Sequence, residues 1–250
     1  MASQKPETIV KATAEDAAAA AAELIKAVVR ESVAERGRCH LALAGGTTPH
    51  LLYKMLARGV VTGDVPWQDV EVFFSDERDV PPDHIESNYG MIQRALLDNL
   101  PVPPNHIHPM PADWLNLDAA AEEYERAIRA LVPSDGMLPR FDLILLGLGT
   151  DGHTASLFPH TAALTEVRRL VLSQYVPFLG RKRMTFTFPL INAARHVVML
   201  ATGEDKTGPV ADLLGPHGRH REELPAARVN PTDGRFTIIL DEAAARRISN

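Results

Sequence analysis

In "FDLILLGLGTDGHTASLFP", Phe141 to Pro159, an acid and an imidazole stand two residues apart on a glycine-rich loop that follows an apolar run. Asp151 and His153 suit proton transfer, because an ordinary imidazole titrates near neutrality and a neighbouring carboxylate can hold it. The embedded Gly147-x-Gly149-x-x-Gly152 has the spacing of a dinucleotide fingerprint but not its setting. It lies far from the first strand–helix unit, and no acid closes a strand about 20 residues on. These glycines are read instead as clearing space around Asp151 and His153.

Three other stretches offer charge or backbone donors. "LALAGGTTPHLLYKML" runs a strand into Gly45 and Gly46, then Thr47, Thr48 and Pro49, then a helical pattern. Paired glycines admit a ligand to the backbone, and a new helix presents free N–H groups to an anion such as phosphate. Thr48 is expected as the N-cap and Pro49 as the first helical residue. "FFSDERDVPPDHIESNYG" ends a strand in Asp76, Glu77 and Arg78, of which Asp76 and Arg78 are candidates to orient a reacting group or bind an anion. Basic side chains follow in "RKRMTFTFPLI", with Arg181, Lys182 and Arg183, and in "ATGEDKTGPV", with Lys206 just past a strand end.

The elements that must position these residues alternate. Near-continuous apolar runs at 39–46, 70–77, 141–149 and 196–203, with a fifth at 236–242, read as strands buried on both faces of a parallel sheet. The 183–191 run alternates and contains Pro189, which places it at an edge or bend. Helical patterns run from Ala14 to a stop at Gly37, from a Ser87 N-cap towards Pro101, from Asn116 to Pro133, and briefly before Gly215. The expected fold is three-layer α/β/α, with a mostly parallel, Rossmann-like central sheet and residues 1–250 forming a single domain. In such a sheet ligands bind at the carboxyl ends of the strands, where all four stretches lie. The polar stretch 215–234 is read as a surface excursion, and His217 and His220 there as solvated, not as metal ligands.

Composition narrows the partners. With 26 Lys and Arg against 32 Asp and Glu, the net charge is −6, which argues against nucleic acid or an anionic membrane. Cys39 is the only cysteine and is read as a buried thiol. The N-terminal stretch has no apolar signal region and no run is long enough to span a bilayer, so a cytoplasmic protein is expected.

Taken together, "LALAGGTTP", "FFSDERDVPPDHIESNYG", "FDLILLGLGTDGHTASLFP" and "RMTFTFPLINAARHVVMLATGEDK" resemble the 6-phosphogluconolactonase family. It is the bacterial type that shares its fold with glucosamine-6-phosphate deaminase. The resemblance implies hydrolysis of 6-phospho-D-glucono-1,5-lactone, the second step of the oxidative pentose phosphate pathway, with no metal or organic cofactor. For that reaction the residues themselves make His153 the expected base for water, with Asp151 or Asp76 holding the imidazole or the water. Gly45, Gly46, Thr47, Thr48, Arg183 and Lys206 would bind the phosphate, and Arg78 either end of the substrate. The related deaminases carry a glutamate after their Asp-Gly-His where this chain has Phe158, which disfavours deamination. A sugar-phosphate sensor is the remaining alternative, although the expected single helix before the first strand leaves no room for a helix-turn-helix. The expected partner is a phosphorylated sugar lactone, bound by a monomer or small homo-oligomer.

Overall fold

The computed structural model describes residues 6–58, 64–113, 115–134, 136–215 and 223–248, so His217 and His220 lie outside the described residues. Six strands form one wholly parallel sheet. They are β1 (Glu7–Lys11), β2 (Cys39–Leu43), β3 (Val70–Phe74), β5 (Leu143–Gly147), β8 (His196–Ala201) and β9 (Arg235–Asp241), in the order β1-β9-β8-β5-β2-β3. Every residue of β2, β3 and β8 is buried, so both faces are covered, in keeping with their near-continuous apolar runs, which only His40, Glu71 and His196 interrupt. β1 was not foreseen. It is short, mostly exposed and confined to the sheet edge, so it lacks the apolar signal of the inner strands. It also means that, among the described residues, a strand and not the long helix comes first.

The helices begin and end where local chemistry dictates. In α1 (Ala14–Arg36) the Thr13 side chain accepts from Asp16 N at 3.1 Å, and Gly37 closes the helix in the left-handed region at φ 75°. Ser87 caps α3 (Asn88–Ala95), and Asn116 caps α4 (Leu117–Leu131). The helix after the paired glycines, α2 (Thr47–Arg58), starts earlier than expected. Pro49 is its third residue, and Gly46 O accepts from His50 N at 3.3 Å. The substitution of positions costs nothing, because none of the first helical N–H groups has a partner within the helix.

Two expectations about strands are corrected. The run 70–77 is not one strand: it breaks at Ser75, and β4 (Asp76–Arg78) leaves the parallel sheet. The 183–191 run is not at the edge of that sheet either. Its first part is β7 (Arg181–Phe186), which lies between β4 and β6 (Val171–Val176) in a separate antiparallel sheet of order β4-β7-β6. Pro189 falls in the opening turn of the short α5 (Phe188–Ile191), where a missing N–H is harmless. Two further helices, α6 (Thr207–Leu214) and α7 (Glu242–Ala245), complete the described α-helices, and one hydrophobic core takes residues from, or packs against, every strand and α-helix except β4. Cys39 is fully buried in it; burial first, then the Asp142 charge, raises its thiol pKa.

At the amino ends of the strands, Asp142 anchors the sheet. Its carboxylate accepts from His40 N at 2.8 Å and from Arg36 Nε at 3.1 Å, with the side chain 3% exposed. Burial alone would raise this carboxyl, but hydrogen bonds from His40 and the charge of Arg36 outweigh it and hold the pKa below the ordinary 3.8. Its contribution is therefore present above pH 3.8 and lost as pH falls through the lower folded value. Asp142→Ala, which strands those partners, is expected to cost about 3 kcal/mol at neutral pH, read as a lower urea midpoint at unchanged m.

Candidate active site

The residues expected to hold or act on a ligand, namely Gly45, Gly46, Thr47, Thr48, Asp76, Arg78, Asp151, His153, Arg183 and Lys206, line one cleft of about 570 Å³ at the carboxyl ends of β2, β5 and β8. At its centre is the loop after β5. His153 Nδ1 lies 2.5 Å from Asp151 Oδ1, which also accepts from His153 N at 3.1 Å. With Nδ1 on the carboxylate, the lone pair of a neutral ring belongs to Nε2, which makes no hydrogen bond among the described residues. Burial by itself raises the Asp151 carboxyl; the hydrogen bond and charge of His153 reverse this and leave its pKa below the ordinary value. Asp151 is thus an anion wherever an imidazole can act as a base.

The loop is built to hold that ring. A side chain on Gly149 would overlap the His153 ring, so only glycine leaves the imidazole its place. Gly149 N donates to His153 O at 2.8 Å, and Thr154 Oγ1 donates to Gly147 O at 2.8 Å. Gly152 sits at φ 79° with Leu224 against its Cα, and Ala226 N donates to Gly152 O at 3.0 Å. Residues 223–229 therefore brace the loop. Leu224, Pro225, Ala226 and Val229 are buried, which corrects the reading of 215–234 as a surface excursion over its described second half.

Phe158 packs against the imidazole with ring centroids 4.2 Å apart, and Phe178 meets Phe158 edge-on at 5.3 Å. Phe178 comes from the β6–β7 connection, whose tip Pro177–Leu179 overhangs the cleft. Nothing in its sequence pattern marks that tip, because its role depends on the antiparallel sheet.

The triplet Asp76-Glu77-Arg78 divides by strand alternation. Asp76 and Arg78 line the cleft, while Glu77 turns away to the start of α3. There it accepts from Asn88 N and Tyr89 N, each at 2.8 Å, and from Ser87 Oγ at 3.1 Å. Burial raises the Glu77 pKa despite those bonds. Asp76 is not the partner of the imidazole. Its Oδ2 accepts from Ser156 Oγ at 2.7 Å and its Oδ1 from Asn88 Nδ2 at 3.3 Å. Sequence reasoning missed Ser156 and Asn88, although Ser156 stands three residues after His153 in the opening stretch. Asn88 also explains Gly45, where any side chain would run into its amide.

The cations converge from distant parts of the chain. Arg78 and Arg183 are directly opposed across the β4–β7 ladder. Burial lowers the Arg183 pKa first, and the charge of Arg78 lowers it further. Like charges placed opposite each other are unfavourable, and an anion between them relieves the repulsion. Asp79 offers partial compensation at 3.7 Å from Arg183, and Arg78 Nη1 donates to Glu86 O at 2.5 Å. Lys206 reaches the same cleft from beyond β8, with Asp205 at 2.8 Å. Thr48 Oγ1, 3.4 Å from Thr202 Oγ1, ties the start of α2 to the loop after β8. Gly46 precedes that helix at φ 103°. Arg181 points instead to Glu86 on the surface, and Lys182 is exposed. Among the described residues no group of three or more His, Cys, Asp or Glu could hold a metal ion, and no helix is long and apolar enough to cross a membrane.

Comparison with known proteins gives the same family from sequence and from structure. The family described as glucosamine-6-phosphate isomerases/6-phosphogluconolactonase matches residues 12–238. A 6-phosphogluconolactonase of Synechocystis sp. is 41% identical over 221 residues, which are 88% of this chain and 89% of that protein. The human 6-phosphogluconolactonase is 37% identical over 234 residues, 89% of each chain. A solved 6-phosphogluconolactonase from Trypanosoma brucei superposes with a TM-score of 0.86 at 29% identity, covering 98% of this chain and 99% of the other.

Proposed function

The chain belongs to the family of glucosamine-6-phosphate isomerases and 6-phosphogluconolactonases, and we infer that it hydrolyses 6-phospho-D-glucono-1,5-lactone to 6-phospho-D-gluconate in the pentose phosphate pathway. One observation carries the choice within the family. The space beside the His153 ring is filled by the buried Phe158, at the position where the related deaminases are expected to carry a glutamate. An apolar ring cannot assist proton transfer in sugar ring opening, whereas ester hydrolysis needs only the imidazole.

His153 Nε2 takes a proton from water as its oxygen attacks C1 of the lactone. The imidazolium then returns that proton to the ring oxygen as the C1–O bond breaks, and the new carboxylic acid ionises. Asp151, an anion on Nδ1, fixes the tautomer and stabilises the imidazolium, the role of the acid in a Ser-His-Asp triad. A positioned base supplies about 10²–10⁴ in rate. The start of α2, with Gly45, Gly46, Thr47 and Thr48, holds the 6-phosphate together with Arg183 and Lys206. Arg78, opposite Arg183, adds its charge to the same anion. That remote binding places C1 over the base.

The reading calls for no metal or organic cofactor, and it includes a cytosolic location without a nucleic-acid or membrane partner. Residues 1–250 act as one phosphosugar lactonase domain, as a monomer or small homo-oligomer.

Consumption of freshly made 6-phosphogluconolactone, followed by acid release, tests the activity. Ammonia release from glucosamine 6-phosphate would instead favour the sister reaction, and binding without turnover a sensor. Lys206→Ala should raise KM about 10- to 10²-fold, the range for one charge-assisted bond, with kcat changed far less. An unchanged KM would take Lys206 off the phosphate.

A further inference from the structure

Asp76 is a carboxylate 7% exposed on the wall of the cleft, held from behind by two neutral and equally buried groups, Ser156 and Asn88. Among the described residues it makes no contact ion pair with a Lys or Arg, although its charge acts on Arg183 from farther off. Burying an anion without a direct ion pair is costly, and carboxylates so placed in a cleft are candidates to serve a ligand. A carboxylate offers about four lone-pair positions. Ser156 Oγ and Asn88 Nδ2 occupy two, and both fix the orientation of the group.

The remainder of the cleft wall is rich in donors. Arg78, Arg183, Lys206 and the first N–H groups of α2 suit the phosphate, and the other carboxylate, Asp151, is committed to His153. A sugar lactone brings hydroxyl protons as well as a phosphate and a carbonyl, and each buried hydroxyl needs an acceptor. We propose that Asp76 is a specificity-determining residue that accepts a hydrogen bond from a ring hydroxyl of the substrate, and that Ser156 and Asn88 hold its carboxylate in place for that contact. The inference rests on the lactonase reading and separates the two acids left open by the sequence: Asp151 serves the base and Asp76 the sugar. A polyhydroxylated lactone is thereby preferred over one that carries the same phosphate and ester but lacks the hydroxyl.

The test compares kcat/KM of wild type and Asp76→Asn on 6-phosphogluconolactone and on its 2-deoxy, 3-deoxy and 4-deoxy counterparts. On the parent lactone the variant should lose about 10- to 10²-fold, the range for a hydrogen bond to a charged group. On one deoxy lactone wild type should lose as much, and the variant should lose little more. A ratio of wild type to variant that is the same on all four lactones would make Asp76 a structural support only and overturn the proposal. Wild type alone gives a second arm that does not depend on the variant folding: equal kcat/KM for the parent and all three deoxy lactones would also overturn it. Failure of wild type to turn over any of the lactones would strike the lactonase reading itself, a result distinct from either.

Discussion

His153→Asn reduces kcat for lactone hydrolysis by about 10²–10⁴-fold, the contribution of a positioned general base, and leaves the affinity for 6-phosphogluconate close to that of wild type. Asparagine can still meet Asp151 through its amide nitrogen, so the loop keeps its anchor while the proton acceptor at the Nε2 position is lost. The split between kcat and product affinity is the informative readout. His153 touches the reacting water and not the phosphate, so its removal acts on the transition state. Stopped assays of lactone loss, corrected for spontaneous hydrolysis, measure the first quantity, and product inhibition the second. Equal kcat in the two proteins would remove the imidazole from the mechanism.

Gly149→Ala is expected to lower kcat by about 10²-fold, although it adds a single methyl and touches no substrate atom. The methyl would occupy the volume of the His153 ring and press on Asp151 Oδ1. The backbone has little freedom to yield. Gly149 N is bonded to His153 O, Thr154 Oγ1 to Gly147 O, and Ser156 N to Thr185 Oγ1 at 3.1 Å. The imidazole must therefore rotate away from Asp151, which loses both its tautomer control and its aim. Product binding through α2 and Lys206 should persist, so the signature again is a fall in kcat at nearly constant product affinity. A Gly149→Ala protein with wild-type kcat would show that the ring position has no bearing on the rate.

The sequence was most informative where function is local. Asp151 and His153 are two residues apart on one turn, so both were legible as candidates, as was the strand–glycine–helix step that exposes the N–H groups of α2. The choice of Asp151 over Asp76 as the partner of the imidazole was not. The buried parallel strands were equally plain, because strands covered on both faces read as near-continuous apolar runs. Harder to see were elements with weak patterns: β1 is short and exposed at an edge, and residues 223–229 look like polar loop until Leu224 is found against Gly152.

What the sequence determined by itself was the inventory: a base with its acid, a phosphate turn and a set of cations, each at the end of a predicted strand. Only the tertiary structure could decide which acid serves which partner. The break at Ser75 turns Asp76 and Arg78 out of the parallel sheet and into register with Thr185 and Arg183. That pairing delivers Asp76 to Ser156 and sets two arginines face to face. Contacts of this kind join residues far apart in the chain, and their geometry depends on strand register and on how the two sheets pack, neither of which is written in the local periodicity of any one segment.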